Sequence, residues 1–229
     1  MNREVRLVEV KEDILSENRV EANELRNRLR QAGTFLLNLM SSPGSGKTSL
    51  IIETIKALAK EIKIGVMEAD IDSKVDAEKI ASMGVEAIQI RTGGFCHLDS
   101  TMVDKGLNAI DYQTYDLILL ENVGNLVCPA EFDTGAIKNA MILSVPEGDD
   151  KPLKYPLMFS ISDVLIIHKT DYLPHSDFNV DLCKERALSL NPKIKIFEIS
   201  SKTGEGVGAW VHWLRNETRT VVGERHART

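Results

Sequence analysis

Apolar residues in this chain gather in short continuous runs, separated by stretches where they recur every third or fourth position. The runs at 34–40, 62–68, 87–90, 117–121, 140–145, 164–168 and 194–200 are too short for helices and do not alternate with polar residues, which predicts strands covered on both faces. Helical spacing marks 47–60, 76–83, 98–110, 177–190 and 207–216, the second of these closed by Gly84. Such alternation predicts an α/β fold, a mostly parallel sheet flanked by helices on both faces. Residues 8–31 scatter apolar positions among many charges and predict an amphipathic helix. Residues 1–33 are therefore expected to form a helical extension packed on a domain spanning 34–218. The last residues, 219–229, have little to bury and are expected to be mobile.

In a parallel sheet, ligands gather beyond the carboxyl ends of the strands. Each unusual polar cluster of this chain follows an apolar run: SSPGSGKT at 41–48, then Glu68, Asp70, Asp72 and Asp76, then Glu121-Asn122-Val123-Gly124, then His168-Lys169-Thr170-Asp171, then Ser200-Ser201-Lys202. All five are expected on one edge. The first is the most informative. A strand that delivers a glycine-rich turn to a helix start makes a phosphate cradle, because the first helical N–H groups lack partners and the helix dipole favours negative charge. Pro43, Gly44, Ser45 and Gly46 would curl around phosphate oxygens, with Ser49 just inside the helix. Lys47 would reach the β- and γ-phosphates and the Thr48 hydroxyl would sit on Mg²⁺. Ser41 stands where the usual motif has its first glycine, a small residue in a place that excludes bulky ones. The motif in this context predicts a P-loop protein that binds a nucleoside triphosphate.

HKTD resembles the NKxD guanine-specificity motif of GTPases, and SSKTG the SAK motif that follows it. A carboxylate at Asp171 accepts from guanine N1–H and the exocyclic N2. Adenine offers neither proton there and would leave the carboxylate unpaired. The stem of Lys169 would lie along the base, and the backbone near Ser201 and Lys202 would meet guanine O6. His168 replaces the usual Asn and can donate similarly through an imidazole N–H. GTP is the expected nucleotide.

Composition removes other classes. The chain has 229 residues, 43% of them hydrophobic and 27% charged, with a net charge of −6, and no strongly basic patch suggests a nucleic-acid partner. No apolar run approaches the roughly 20 residues that span a bilayer, and the charged N-terminus lacks a signal-peptide core, so a cytoplasmic protein without membrane contact is expected. Three cysteines are too few and too scattered for a disulfide framework. Cys183 has apolar neighbours at helical spacing and is read as a packing residue. Cys96 and His97 stand side by side, and Cys128 follows Gly124 closely, a set of thiolates and imidazole suited to Zn²⁺ or Ni²⁺. Three donors are one short of a closed tetrahedral site, so water or a second subunit would complete it.

SSPGSGKT, EADIDSKVDAEKI, TGGFCHLD, ENVGNLVCPAEFD, SVPEGDDKPLKYPLMF and HKTD occur in that order, and with them the chain resembles the hydrogenase maturation GTPase family HypB over about residues 10–218. The related UreG proteins carry a Cys-Pro-His motif instead. The resemblance implies a G domain that dimerises on GTP, with Cys96, His97 and Cys128 as Zn²⁺ or Ni²⁺ ligands near the dimer interface. It also implies nickel delivery to [NiFe]-hydrogenase, with the hydrogenase large subunit and an accessory maturation protein as partners. It assigns Asp70 to Mg²⁺ or the attacking water and Glu121 to Mg²⁺, so that Lys47, Asp70 and Glu121 form the expected catalytic set. Residues 1–33 hold neither Cys nor His, so no separate nickel site or nickel store is expected there. Asp72 is expected to cap the next helix, whereas the charges at 147–154 fit either a dimer-crossing loop or a solvated run. A small-molecule kinase using the same phosphate turn and a nucleotide-gated protein with structural zinc remain as alternatives.

Overall fold

The computed structural model describes residues 10–70 and 75–226. Each apolar run forms a strand: β1 (Phe35–Ser41), β2 (Ile64–Asp70), β3 (Glu86–Arg91), β4 (Leu117–Glu121), β5 (Lys138–Ser144), β6 (Val164–His168) and β7 (Lys195–Ile199). They make one sheet in the order β3-β2-β4-β1-β5-β6-β7, and every pairing is parallel. Burial explains the missing alternation. β1, β4 and β6 are buried along their whole length, whereas the edge strands β3 and β7 are only partly covered.

The helices α1 (Val10–Ala32), α2 (Lys47–Leu58), α3 (Val75–Ala81), α4 (Ser100–Ala109), α8 (Val180–Leu190) and α9 (Val207–His226) include those the spacing predicts. Leu25 and Leu29 of α1, Leu50 and Ile51 of α2 and Trp210 of α9 join the core formed by β1, β2 and β4. Met141 and Leu143 of β5 pack with Cys183 and Ala187 of α8 in a second core. Burial pushes the Cys183 thiol up to about 12, so this sulfur is an inert hydrophobe.

The structure adds detail at three places. Past 219, α9 continues to His226 and buries Val221 in the same core as Leu25 and Leu29. Residues 128–161 contain the short helices α5 (Cys128–Glu131), α6 (Lys151–Lys154) and α7 (Pro156–Ile161), too brief for any periodicity to reveal. The charges at 147–154 divide between inward-facing residues and an exposed pair. Glu147 turns in against Ser45 and Ser144, Asp149 accepts from Arg186 at 2.6 Å, and Asp150 pairs with Lys154 in solvent. Residues 71–74, with Asp72, lie outside the described residues, as do the side chains of Asp70 and Asp76.

Parallel pairing is what places the site. Ser144 is in register with His168, and His168 with Ile199, so the segments leaving β5, β6 and β7 start side by side. On the other flank Glu68 is in register with Glu121, and Glu121 with Leu39. Among the described residues no helix is long and apolar enough to cross a membrane.

Candidate nucleotide and metal site

The glycine-rich turn runs from Ser41, which ends β1, to Lys47, which begins α2. Gly44 and Gly46 have φ of 74° and 105°, left-handed values that L side chains rarely adopt. Gly46 is needed twice over, since the His168 ring fills the place where a Cβ would stand. The buried Lys47 ammonium donates to Ser41 Oγ at 3.0 Å, so the residue that departs from the usual motif supplies the lysine with an acceptor. Thr48 Oγ1 donates to Glu121 Oε1 at 3.0 Å. Gly44, Gly46, Lys47, Thr48 and Glu121 line a cavity of about 530 Å³ together with Glu68, Asn122, Gly124 and Lys169. A Cβ on Gly124 would lie 3.0 Å from the Pro43 backbone, so glycine lets the segment after β4 approach the phosphate turn this closely without displacing it. The Thr48 hydroxyl beside the Glu121 carboxylate is a hard-oxygen donor set, which fits Mg²⁺. Glu68, buried at the same wall, had no role assigned from sequence; its register with Glu121 exists only in the folded sheet.

A second cavity of about 440 Å³ adjoins the first and is lined by Ser49, His168, Lys169, Asp171, Tyr172, Ser201 and Lys202, among others. His168 Nδ1 lies 2.8 Å from the Ser45 carbonyl, and Nε2 lies 2.8 Å from Ser201 Oγ. Burial holds this imidazole below its ordinary pKa, despite the Ser45 hydrogen bond. A carbonyl can only accept, so Nδ1 carries the proton and the neutral Nε2 accepts from the Ser201 hydroxyl. One ring thus bolts the phosphate turn to the segment after β7. Lys169, at φ 59°, donates from Nζ to the Gly44 carbonyl at 2.8 Å and borders both cavities. Asp171 accepts from Ser200 Oγ at 2.7 Å and faces Lys202 Nζ at 3.9 Å.

Sequence reasoning named Ser200 only within a polar cluster and Glu147 only within a charged run, and gave neither a role in this site. Glu147 Oε2 accepts from Ser45 Oγ at 2.7 Å, from Ser144 Oγ at 2.7 Å and from the Ser144 N–H at 2.8 Å. Burial pushes its carboxyl up, but hydrogen bonds from Ser42, Ser144 and Ser45 outweigh this and leave it below the ordinary value. An ionised, half-buried Glu147 therefore braces the phosphate turn from behind. In a run of charged residues its sequence offered no signal of that role.

The structure also brings Cys96, His97 and Cys128 together, their ligand atoms all within 4.8 Å of one another. The two Sγ atoms are 2.9 Å apart, and Cys96 Sγ is 4.0 Å from His97 Nδ1. Cys96 and His97 come from the segment between β3 and α4, and Cys128 opens α5. Asn125 Nδ2 donates to the Cys96 carbonyl at 3.3 Å, and the His97 ring stacks on Phe132 at 3.8 Å between centroids. The hydrogen bond with Cys96, then burial, push the Cys128 thiol up, whereas burial lowers His97 against the pull of Asp99 and Glu131. Two sulfurs and an imidazole at an exposed surface suit Zn²⁺ or Ni²⁺ and leave a coordination position for a further donor. Residues 121–128 link the two halves directly, running from the carboxylate beside Thr48, past Gly124 on Pro43, to the Cys128 thiol.

Residues 35–198 match the family model described as CobW/HypB/UreG, nucleotide-binding domain. The chain is 46% identical over 220 residues to the hydrogenase maturation factor HypB of Azotobacter vinelandii, covering 96% of this chain and 73% of that protein. Among solved structures it resembles the hydrogenase maturation factor HypB from Archaeoglobus fulgidus, with 40% identity and a TM-score of 0.83 over 89% of this chain and 99% of the other. It also resembles HypB from Helicobacter pylori in complex with nickel, with 38% identity and a TM-score of 0.84 over 89% of this chain and 96% of the other.

Proposed function

The chain belongs to the CobW/HypB/UreG family, and from that premise we propose that it is a GTP-hydrolysing metallochaperone that assists nickel insertion into [NiFe]-hydrogenase. The observation that carries this reading is the single covalent segment, 121–128, that lines the nucleotide cavity at one end and supplies a metal ligand at the other.

In this reading Asp171 and the segment around Ser201 select guanine, while the turn from Pro43 to Ser49 and Lys47 hold the phosphates. Thr48 and Glu121, with Asp70 by the family resemblance, would hold Mg²⁺, which when bound neutralises charge on the β- and γ-phosphate oxygens. Asn125, rather than a glutamine, follows Gly124, so hydrolysis is slow in the isolated protein. A γ-phosphate near Gly124 reorders residues 121–128 and so shifts the Cys128 thiol relative to Cys96 and His97. The open coordination position is filled by water or by a second copy of the chain, which makes the nucleotide-bound form a homodimer. The hydrogenase large subunit and an accessory maturation protein are its partners, in the cytoplasm.

Linkage supplies the test. If a GTP analogue tightens nickel binding by some factor, nickel must tighten binding of that analogue by the same factor. Calorimetric titrations of Ni²⁺ and Zn²⁺ with and without the analogue, and the reverse, are expected to give equal factors that Cys96→Ala and Cys128→Ala abolish. Identical metal affinities with and without nucleotide would leave a protein whose zinc is purely structural.

A further inference from the structure

Helix α1 precedes the nucleotide-binding core and takes no part in either cavity wall described above, yet one of its polar residues is buried. The Asn18 side chain, 6% exposed, reaches between two separate segments. Its Nδ2 donates to Ser100 Oγ at 3.0 Å and to the Asp133 carbonyl at 3.0 Å, and its Oδ1 accepts from the Asp133 N–H at 2.8 Å. The Asp133 pair fixes the amide's orientation, since a flipped amide would oppose donor to donor and acceptor to acceptor.

The two segments are those that carry the metal ligands. Ser100 opens α4 just beyond His97, with Asp99 capping the helix by accepting from the Met102 N–H at 2.8 Å. Asp133 lies just beyond α5, which Cys128 opens, and its neighbour Phe132 is the ring stacked on His97. Nearby contacts reinforce the bridge. Arg26 of α1 donates from Nη2 to both Asp133 carboxylate oxygens, at 2.7 and 2.9 Å, and Thr101 Oγ1 donates to Glu21 at 2.8 Å. Among the described residues of α1, Asn18 binds both segments through one rigid group, whereas Asn125 ties Cys96 to Val127 from within them.

We infer that Asn18 is a positioning residue for the metal site: its amide clamps the His97 segment to the Cys128 segment and holds the three donors at binding distance before the ion arrives. This inference rests on the metal-site reading above. A site assembled from two segments otherwise loses affinity to the entropy of bringing them together, and a clamp removes that loss in advance. Groups that orient metal ligands from outside the coordination sphere typically change metal affinity by about 10–100-fold.

The test uses the full chain, titrated with Ni²⁺ and Zn²⁺ against a competing chelator, with Co²⁺ absorption as a report on ligand geometry. Asn18→Ala is expected to weaken both metals by at least about tenfold and to alter the cobalt ligand-field and thiolate charge-transfer bands, while GDP affinity stays at the wild-type value. Asn18→Asp keeps the acceptor for Asp133 N–H but sets a buried carboxylate oxygen against the Asp133 carbonyl, and is expected to weaken metal at least as much as alanine. Leu29→Ala, a core truncation on the same helix, is expected to lower the melting temperature and leave metal affinity unchanged. Wild-type affinity and cobalt spectrum in Asn18→Ala would overturn the clamp, as would an equal loss of metal in Leu29→Ala. Retention of metal by Cys96→Ser and Cys128→Ser would instead overturn the site itself, and the clamp with it.

Discussion

Replacing His168 with alanine tests the claim that one imidazole joins the phosphate turn to the base-binding loops. The ring is 2% exposed, hydrogen-bonds to the Ser45 carbonyl and Ser201 Oγ at 2.8 Å each, and packs on the open face of Gly46. Truncation leaves a buried carbonyl without its donor, which costs about 1–3 kcal/mol, and opens a cavity against the glycine turn. The sum is about 2–4 kcal/mol, less than the roughly 5–15 kcal/mol stability of a typical domain, so the variant still folds. Urea unfolding is expected to show this as a lower midpoint with an unchanged slope. A fluorescent GDP analogue is expected to bind more weakly, because the turn and the loops it contacts no longer share a brace. His168→Asn offers an amide N–H to Ser45 and is expected to recover part of both losses, with Ni²⁺ binding at Cys96, His97 and Cys128 unchanged in either variant. A stability loss in the alanine variant under about 1 kcal/mol, or an asparagine variant no better than alanine, would refute the reasoning.

The same ring makes stability depend on pH. Its folded pKa lies below the ordinary 6.5, so the unfolded chain takes up the proton first as pH falls. His168 therefore has its full stability contribution above about 6.5, which diminishes as pH drops from there towards the folded value; thermal unfolding from pH 7.5 to 5.5 should show this slope in wild type and a shallower one in His168→Asn. Asp171→Asn should weaken GTP and favour xanthosine triphosphate, whose extra carbonyl accepts from an amide, a preference readable by nucleotide competition. Gly124→Ala should weaken a non-hydrolysable GTP analogue more than GDP, because its methyl would stand 3.0 Å from the Pro43 backbone and hold the segment after β4 off the turn; equal losses for the two nucleotides would contradict this.

Much of the molecule is local in sequence, and that part was legible. Continuous apolar runs identify strands without a solvent face, and glycine at 44 and 46 before Lys47 identifies a phosphate turn, because positive φ and helix-start geometry depend on neighbouring residues alone. Cys96, His97 and Cys128 were candidates by donor chemistry, although nothing in their spacing gives the 4.8 Å within which their atoms gather. Other features belong to the tertiary structure. Asn18, Ser100 and Asp133 are unremarkable polar residues until α1 crosses two distant loops. Glu147 looks like one charge among many until the end of β5 turns it under Ser45. Val221 gives no sign of burial until α9 lies against the core that α1 shares. Burial and hydrogen-bond partnership depend on which segments the sheet order brings together, and that order is a long-range property that no window of sequence contains.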